Sequence, residues 1–197
     1  TSGSMYRAVA LYFIENNVDF EDVKAVEFAL DNINLSFRKN DETDQLEIFM
    51  NNRNIQKEIG DPQVSNVVSE ISVIGIIREK IVEQQRLMGK NKGVVMDGRD
   101  IGTVVFPDAE IKIFMTADQS VRAIRRHTEL EAKGFEISLE EVMENIVKRD
   151  KIDSTRDISP LSKAEDAIEF DNTFLNQEEQ VQALISIVNA YLADEEE

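Results

Sequence analysis

The tetrapeptide Asp97-Gly98-Arg99-Asp100 sets a carboxylate on each side of a guanidinium. Carboxylates accept hydrogen bonds from amines or stand near metal ions, and a guanidinium offers a planar fork of donors matched to carboxylate or phosphate oxygens. Val94, Val95 and Met96 before it read as a short buried strand, and Gly98 and Gly102 permit sharp turns after it. Asp97, Arg99 and Asp100 would then lie at the carboxyl end of a strand, where open α/β sheets bind ligands. An ordinary loop carrying a surface ion pair would use the same residues.

Further arginines, Arg7, Arg78, Arg125, Arg126, Arg149 and Arg156, fall near predicted element ends or on a charged segment of a chain whose net charge is −17. Singly, each fits a solvated surface. Together with Asp97, Asp100 and Asp153 they suggest an anion site. Phosphoryl transfer needs cations on the non-bridging oxygens, Mg²⁺ near carboxylates and an enclosure that excludes water, and this set could supply them. The acidic balance argues against a nucleic-acid partner, whose affinity rests on basic surface. With no cysteine and one histidine, His127, thiolate and multi-histidine metal sites are excluded. His127, in a charged helix, reads as solvated. No apolar run reaches the length of a membrane span and the first residues lack the order of a secretory signal, so no membrane partner and a cytoplasmic location are expected.

The elements that must position these groups follow from periodicity. Helices are predicted at about residues 4–16 and 19–32, and a β-hairpin from 34–38 and 46–50 around the acidic turn 40–44. Phe37, Phe49 and Met50 would pack that hairpin. Asp61-Pro62 ends the unit, and 64–88 reads as two helices broken at Gly75. After the strand at 94–96 a second is predicted at 111–115. Thr116-Ala117-Asp118 then caps a helix with Val121, Ala123, Ile124 and Leu130 on one face, ending at Gly134. A helix at about 138–149 leads into a polar segment, 149–156, closed by Ser159-Pro160. A short strand at 167–171, a helix at 176–192 and a solvated acidic tail complete the chain. Strands alternating with helices imply an α/β fold with a parallel sheet flanked by helices. The chain opens on a helix with no strand before it, as expected if the first βα unit is absent.

The motifs resemble those of the bacterial cytidylate kinases, in the nucleoside monophosphate kinase group of the P-loop fold. The anchors are Ser2-Gly3-Ser4-Met5-Tyr6-Arg7-Ala8-Val9-Ala10-Leu11, the stretch Asp97-Gly98-Arg99-Asp100-Ile101-Gly102-Thr103-Val104-Val105-Phe106-Pro107-Asp108-Ala109, Arg149-Asp150 with Asp153 and Arg156, and Pro160-Leu161. The resemblance implies a P-loop kinase core at 1–27, 80–116 and 163–197, a small β-containing NMP-binding insertion at 28–79 and a helical lid at 117–162. It implies transfer of the γ-phosphoryl group of ATP to CMP or dCMP in pyrimidine nucleotide metabolism, with Mg²⁺, by a monomer. Arg7, Arg99 and Arg156 would hold the acceptor phosphate. Ser69, Arg78 and Asp100 would read the base, Arg149 and Asp153 would meet the ribose, and Ser2 would contact the nucleotide. Arg125 and Arg126 would belong to the lid near ATP, and the transfer would engage Asp97, near the metal through water, with Arg99, Arg125 and Arg126. The chemistry of cytosine agrees, because Asp100 can accept from its exocyclic amine whereas the carbonyl of uracil would face it acceptor to acceptor.

Three positions depart from the family pattern. The family's P-loop, Gly-x-x-x-x-Gly-Lys-Ser/Thr, has no match: Gly89-Lys90 is followed by Asn91 and has Gln84 at the first glycine position. Weak ATP binding by this chain is therefore expected. Gly60 stands where the family often has arginine, and Thr1 where aspartate is common. A related small-molecule kinase and a nucleotide-binding module without catalysis are the competing readings.

Overall fold

A computed structural model describes residues 2–195, the side chains of the last two of them excepted. The main core is built on α1 (Ser2–Glu15), which carries Met5, Ala8, Val9, Leu11 and Phe13 into the interior. Around it pack α2 (Val23–Asp31), a three-stranded antiparallel sheet and the helices α3 (Pro62–Ile71) and α4 (Gly75–Gly89). Asp22 caps α2 through the N–H groups of Lys24 and Ala25. Asp61 caps α3, whose first residue is Pro62, a position where proline's missing N–H costs nothing.

The expected hairpin is present as β1 (Leu35–Lys39) and β2 (Leu46–Met50), paired from Leu35↔Met50 to Lys39↔Leu46. Ile48 and Met50 are buried and Leu46 is exposed. Asn40 closes the turn by accepting from the N–H groups of Glu42 and Thr43 at 2.9 and 3.2 Å. A two-residue strand, β3 (Arg53–Asn54), adds to β2 on its other side.

The parallel sheet is smaller than the alternation predicts. Among the described residues it comprises β4 (Ile113–Thr116) and β5 (Ile168–Asp171), in register from Ile113↔Ile168 to Thr116↔Asp171. The crossover between them contains α5 (Gln119–Ala132) and α6 (Leu139–Thr155), and α7 (Gln177–Glu195) follows β5. Asp118 caps α5, and Ser138 with Glu141 forms a full capping box on α6. These two helices share a separate small core of Ala123, Leu130 and Val142. Among the described residues no helix is long and apolar enough to cross a membrane.

Several expectations need correction. Residues 94–96 form no strand: Val94 and Val95 are exposed and no described strand lies alongside to supply a hydrogen-bonded ladder. Ile124 points to solvent, so the buried face of α5 runs through Ala123 and Leu130. The helix predicted to end near Arg149 runs on to Thr155, so most of the polar segment is the last part of α6. Of the acidic tail, Ala193 still belongs to α7, and Glu196 and Glu197 lie outside the described residues.

Candidate active site

The Asp97–Asp100 segment is held from both ends. The backbone N–H of Ser2, opening α1, donates to the Asp97 carbonyl at 3.1 Å. Gly98 lies so close to Ser2 that a Cβ there would collide with the Ser2 hydroxyl, which only glycine avoids. Beyond Asp100 the chain makes a single wide, π-type turn over Ile101–Val105, in which the Asp100 carbonyl accepts from the N–H groups of Val104 and Val105 at 2.9 and 3.2 Å. Arg86 on α4 donates to the carbonyls of Val104 and Val105 at 2.6 and 3.3 Å, closing the far end of that turn. Its charge is thereby spent on backbone rather than on a ligand.

The segment borders a cavity of about 90 Å³ that draws on α1, α3, α4 and α6. Every residue expected to bind the acceptor lines it: Ser2 and Arg7 from α1, Ser69 from α3, Arg78 from α4, Arg99 and Asp100 from the loop, and Arg149, Asp153 and Arg156 from α6. Asp97 lines it too. The correction to α6 explains the last three, since residues spaced four and three apart on a helix share one face. A larger groove of about 550 Å³ lies beyond Arg78, walled by Val82, Leu87, Val104 and Ile158. That groove also carries Glu79, Glu83, Arg86 and Lys90, charges of both signs, whereas Arg7, Arg99, Arg149 and Arg156 line the smaller cavity.

Ion pairs order those charges. Arg78 makes a buried pair with Asp100 and donates to the Ser72 carbonyl at 3.0 Å. Asp153 accepts from Arg99 Nε at 3.0 Å with one oxygen and from Arg156 at 3.2 Å with the other. Arg7 donates to the Ile59 carbonyl at 3.0 Å and to the Ser65 hydroxyl at 2.7 Å. Burial pushes the Arg7 guanidinium down to about 10, and the neighbouring positive charges of Arg149, Arg126 and Arg99 push the same way. Burial and then Arg99 likewise lower Arg149, and burial and then Arg78 lower Arg156. Positive charges crowded out of water in this way favour an anion among them.

The cavity also holds unpaired polar atoms. Tyr6 Oη, Ser69 Oγ, Arg78 Nε and Arg156 Nη2 are buried with no hydrogen-bond partner among the described residues. Unpaired buried groups are rare in folded proteins, and together with the arginines they mark a place for a polar ligand. Tyr6 was not among the residues singled out from the sequence. Its ring lies under the Arg78 guanidinium at 5.7 Å, and burial pushes its phenol up to about 12. Its signal was present in the spacing, since Ser2 and Tyr6 are four residues apart on one helix.

The two lid arginines stand elsewhere. Arg125 donates to the carbonyls of Asn172, Thr173 and Leu175 at 2.8, 3.3 and 2.9 Å and to the Asn172 side chain at 3.0 Å. It therefore clamps the loop after β5. Arg126 pairs with Glu129 at 2.8 Å and is near enough to depress Arg7 and Arg149. His127 bridges α5 to the next turn through the Ile137 carbonyl at 2.9 Å.

The profile of the cytidylate kinase family matches residues 1–190. A cytidylate kinase of Flavobacterium johnsoniae is 49% identical over 191 residues, covering 95% of this chain and 83% of its own. A cytidylate kinase of Phocaeicola vulgatus is 50% identical over 182 residues, covering 91% of this chain and 80% of its own. One of Bacteroides fragilis is 50% identical over 188 residues, covering 94% and 82%. With the profile spanning nearly all of its length and relatives at half identity, the chain belongs to the cytidylate kinase family.

Proposed function

We propose that the chain is a phosphotransferase that moves the γ-phosphoryl group of ATP onto CMP or dCMP, with the cavity under Asp100 as its acceptor site. The observation that carries this reading is the convergence, on one cavity, of Asp100, the arginine cluster and unpaired buried polar atoms. Arg7, Arg99 and Arg156 bind the acceptor phosphate, so that charge neutralisation by the ligand offsets the cost of burying them. Asp100, oriented by Arg78, accepts from the exocyclic amine of cytosine, and Ser69 completes the base contact with its unpaired hydroxyl. Arg149 and Asp153 meet the ribose, Ser2 contacts the nucleotide, and Arg126 supplies positive charge from the lid.

A cavity of about 90 Å³ is smaller than ligand pockets generally are. Entry of a nucleotide therefore requires the α6 side of the cavity to withdraw and the Arg99–Asp153 pair to exchange for contacts with the ligand, the lid motion common in this chemistry. Among the described residues no three or more carboxylate or histidine side chains are grouped as metal ligands, and Mg²⁺ in this chemistry is commonly held by one or two carboxylates together with substrate phosphates. Mg²⁺ enters the proposal as the companion of ATP, and no step is assigned to it.

Calorimetric titration with CMP, UMP and AMP, paired with a coupled ADP-release assay, tests the proposal. Selective CMP binding is expected, with ADP release that rises only at high ATP concentration, as the weak ATP binding of a chain without a matching P-loop requires. Selective binding without transfer would mark a binding module, and comparable affinity for all three nucleotides would overturn the acceptor assignment.

A further inference from the structure

The turn that follows α6 is strained where it meets the site. Ser159 has a φ of 51°, in the left-handed region that residues with a side chain seldom enter. It also stands directly before Pro160, whose ring drives the preceding residue toward extended backbone. Strain of this kind persists where the surroundings hold it in place. Here the Ser159 carbonyl accepts from Arg156 Nε at 2.7 Å, and the Leu161 N–H donates to the Asp153 carbonyl at 2.6 Å. Ile158, between them and α6, packs onto the first residue of α4, where a Cβ on Gly75 would lie 3.1 Å from Ile158 Cδ1.

These contacts act on two residues of the cavity. With Nε fixed on Ser159 and Nη1 on Asp153 at 3.2 Å, the guanidinium of Arg156 is left with one unpaired corner, the buried Nη2. The Leu161 bond ties down the last turn of the helix that carries Asp153. Both residues belong to one face of the cavity, so the conformation of a turn outside it sets the aim of that face.

We infer that residues 157–161 form a strap that aims Arg156 and Asp153 at the acceptor, and that Ser159 is its positioning residue, acting through left-handed backbone rather than through its hydroxyl. The inference rests on the reading of the cavity as the acceptor site. It distinguishes the two ends of the substituent scale at one position: glycine adopts this φ without strain, whereas a β-branched side chain opposes it.

The test uses Ser159→Gly and Ser159→Val in the whole chain, with CMP affinity read by calorimetry and hydrogen exchange at Arg156 Nε–H read by nitrogen-15 NMR. Ser159→Gly is expected to keep both within about twofold of the parent, because the carbonyl stays where it is. Ser159→Val is expected to weaken CMP by about tenfold and to speed the exchange by a similar factor, the carbonyl having moved off Nε. Equal behaviour of the two variants, or unchanged exchange in the valine variant, overturns the strap. Should the valine variant fail to fold, Ile158→Ala loosens the same turn by removing its packing on Gly75. Faster exchange there supports the strap, and unchanged exchange overturns it. If the parent chain itself does not bind CMP, the acceptor reading falls, and the exchange pattern alone then decides whether the strap exists.

Discussion

Arg78 and Asp100 form an ion pair whose side chains are 3% and 7% exposed, on elements 22 residues apart in sequence. Arg78 spends another donor on the Ser72 carbonyl and keeps Nε unpaired, so the pair anchors Asp100 at the cavity that both residues line. Breaking a buried pair by removing one partner strands the other charge, which is far costlier than replacing both.

Asp100→Asn is therefore expected to lose about 3 kcal/mol of folding stability, measured by urea unfolding. The same variant places an amide donor opposite the base, so its preference for CMP over UMP is expected to shrink by about tenfold. Unaltered stability together with unaltered preference would contradict both roles.

Arg7 gives a pH dependence with a definite sign. Burial pulls its value from the ordinary guanidinium range down to about 10 on folding, a displacement corresponding to about 3 kcal/mol against the folded state. That penalty is fully present below pH 10, where the group is charged in both states. As pH rises above about 10 the folded form sheds its proton while the unfolded form keeps it, so the contribution of this group to stability increases until the unfolded form titrates as well. Phosphate affinity moves oppositely, since the charge that binds the anion is being lost. CMP affinity measured from pH 8 upward is expected to hold level and then fall near pH 10, and Arg7→Met to weaken CMP binding at every pH and to flatten the fall near pH 10.

Arg125→Ala separates structure from ligand contact. Removing the guanidinium strands the carbonyls of Asn172, Thr173 and Leu175, an expected loss of about 2 kcal/mol in unfolding experiments. CMP affinity is expected to stay within about twofold, since Arg125 does not line the cavity. A large loss of CMP binding at unchanged stability would place Arg125 in the acceptor site rather than on the loop after β5.

Gly98→Ala tests the close approach to Ser2. The added methyl collides with the Ser2 hydroxyl and with Ile101, so either the loop or the start of α1 must shift, at an expected cost of about 1–3 kcal/mol. Weaker CMP binding should accompany it, because Ser2 and Asp100 then separate. A neutral result in both measurements would show that the junction yields freely.

The helices and the hairpin were legible because their periods are local, and Asp118 and Ser138 stand at the expected starts of α5 and α6. The caps Asp22 and Asp61 were not read as helix starts, and α2 begins four residues later than expected. The acceptor residues were legible through motif resemblance, and the structure brings all of them to one cavity. What remained hidden depends on distant partners. Nothing near Arg125 in sequence reveals that it serves carbonyls 47 to 50 residues away, or near Arg99 that it meets Asp153 across 54. The charge density of Arg149–Arg156 hides the continuation of α6, although Arg149, Asp153 and Arg156 recur at helical spacing. Val94–Met96 shows the opposite failure, an apolar run with no neighbouring strand to accept it.

The small core shared by α5 and α6 is separate from the main core, and the links from α6 to the larger body include the polar pairs Asn66–Asn145 and Arg99–Asp153, each at 3.0 Å. Bonds of that type can be traded for water at little net cost, whereas the apolar contacts inside each body cannot. The α5–α6 pair is thus held to the larger body in part by exchangeable polar bonds, and warming or mild denaturant should release it before either core melts.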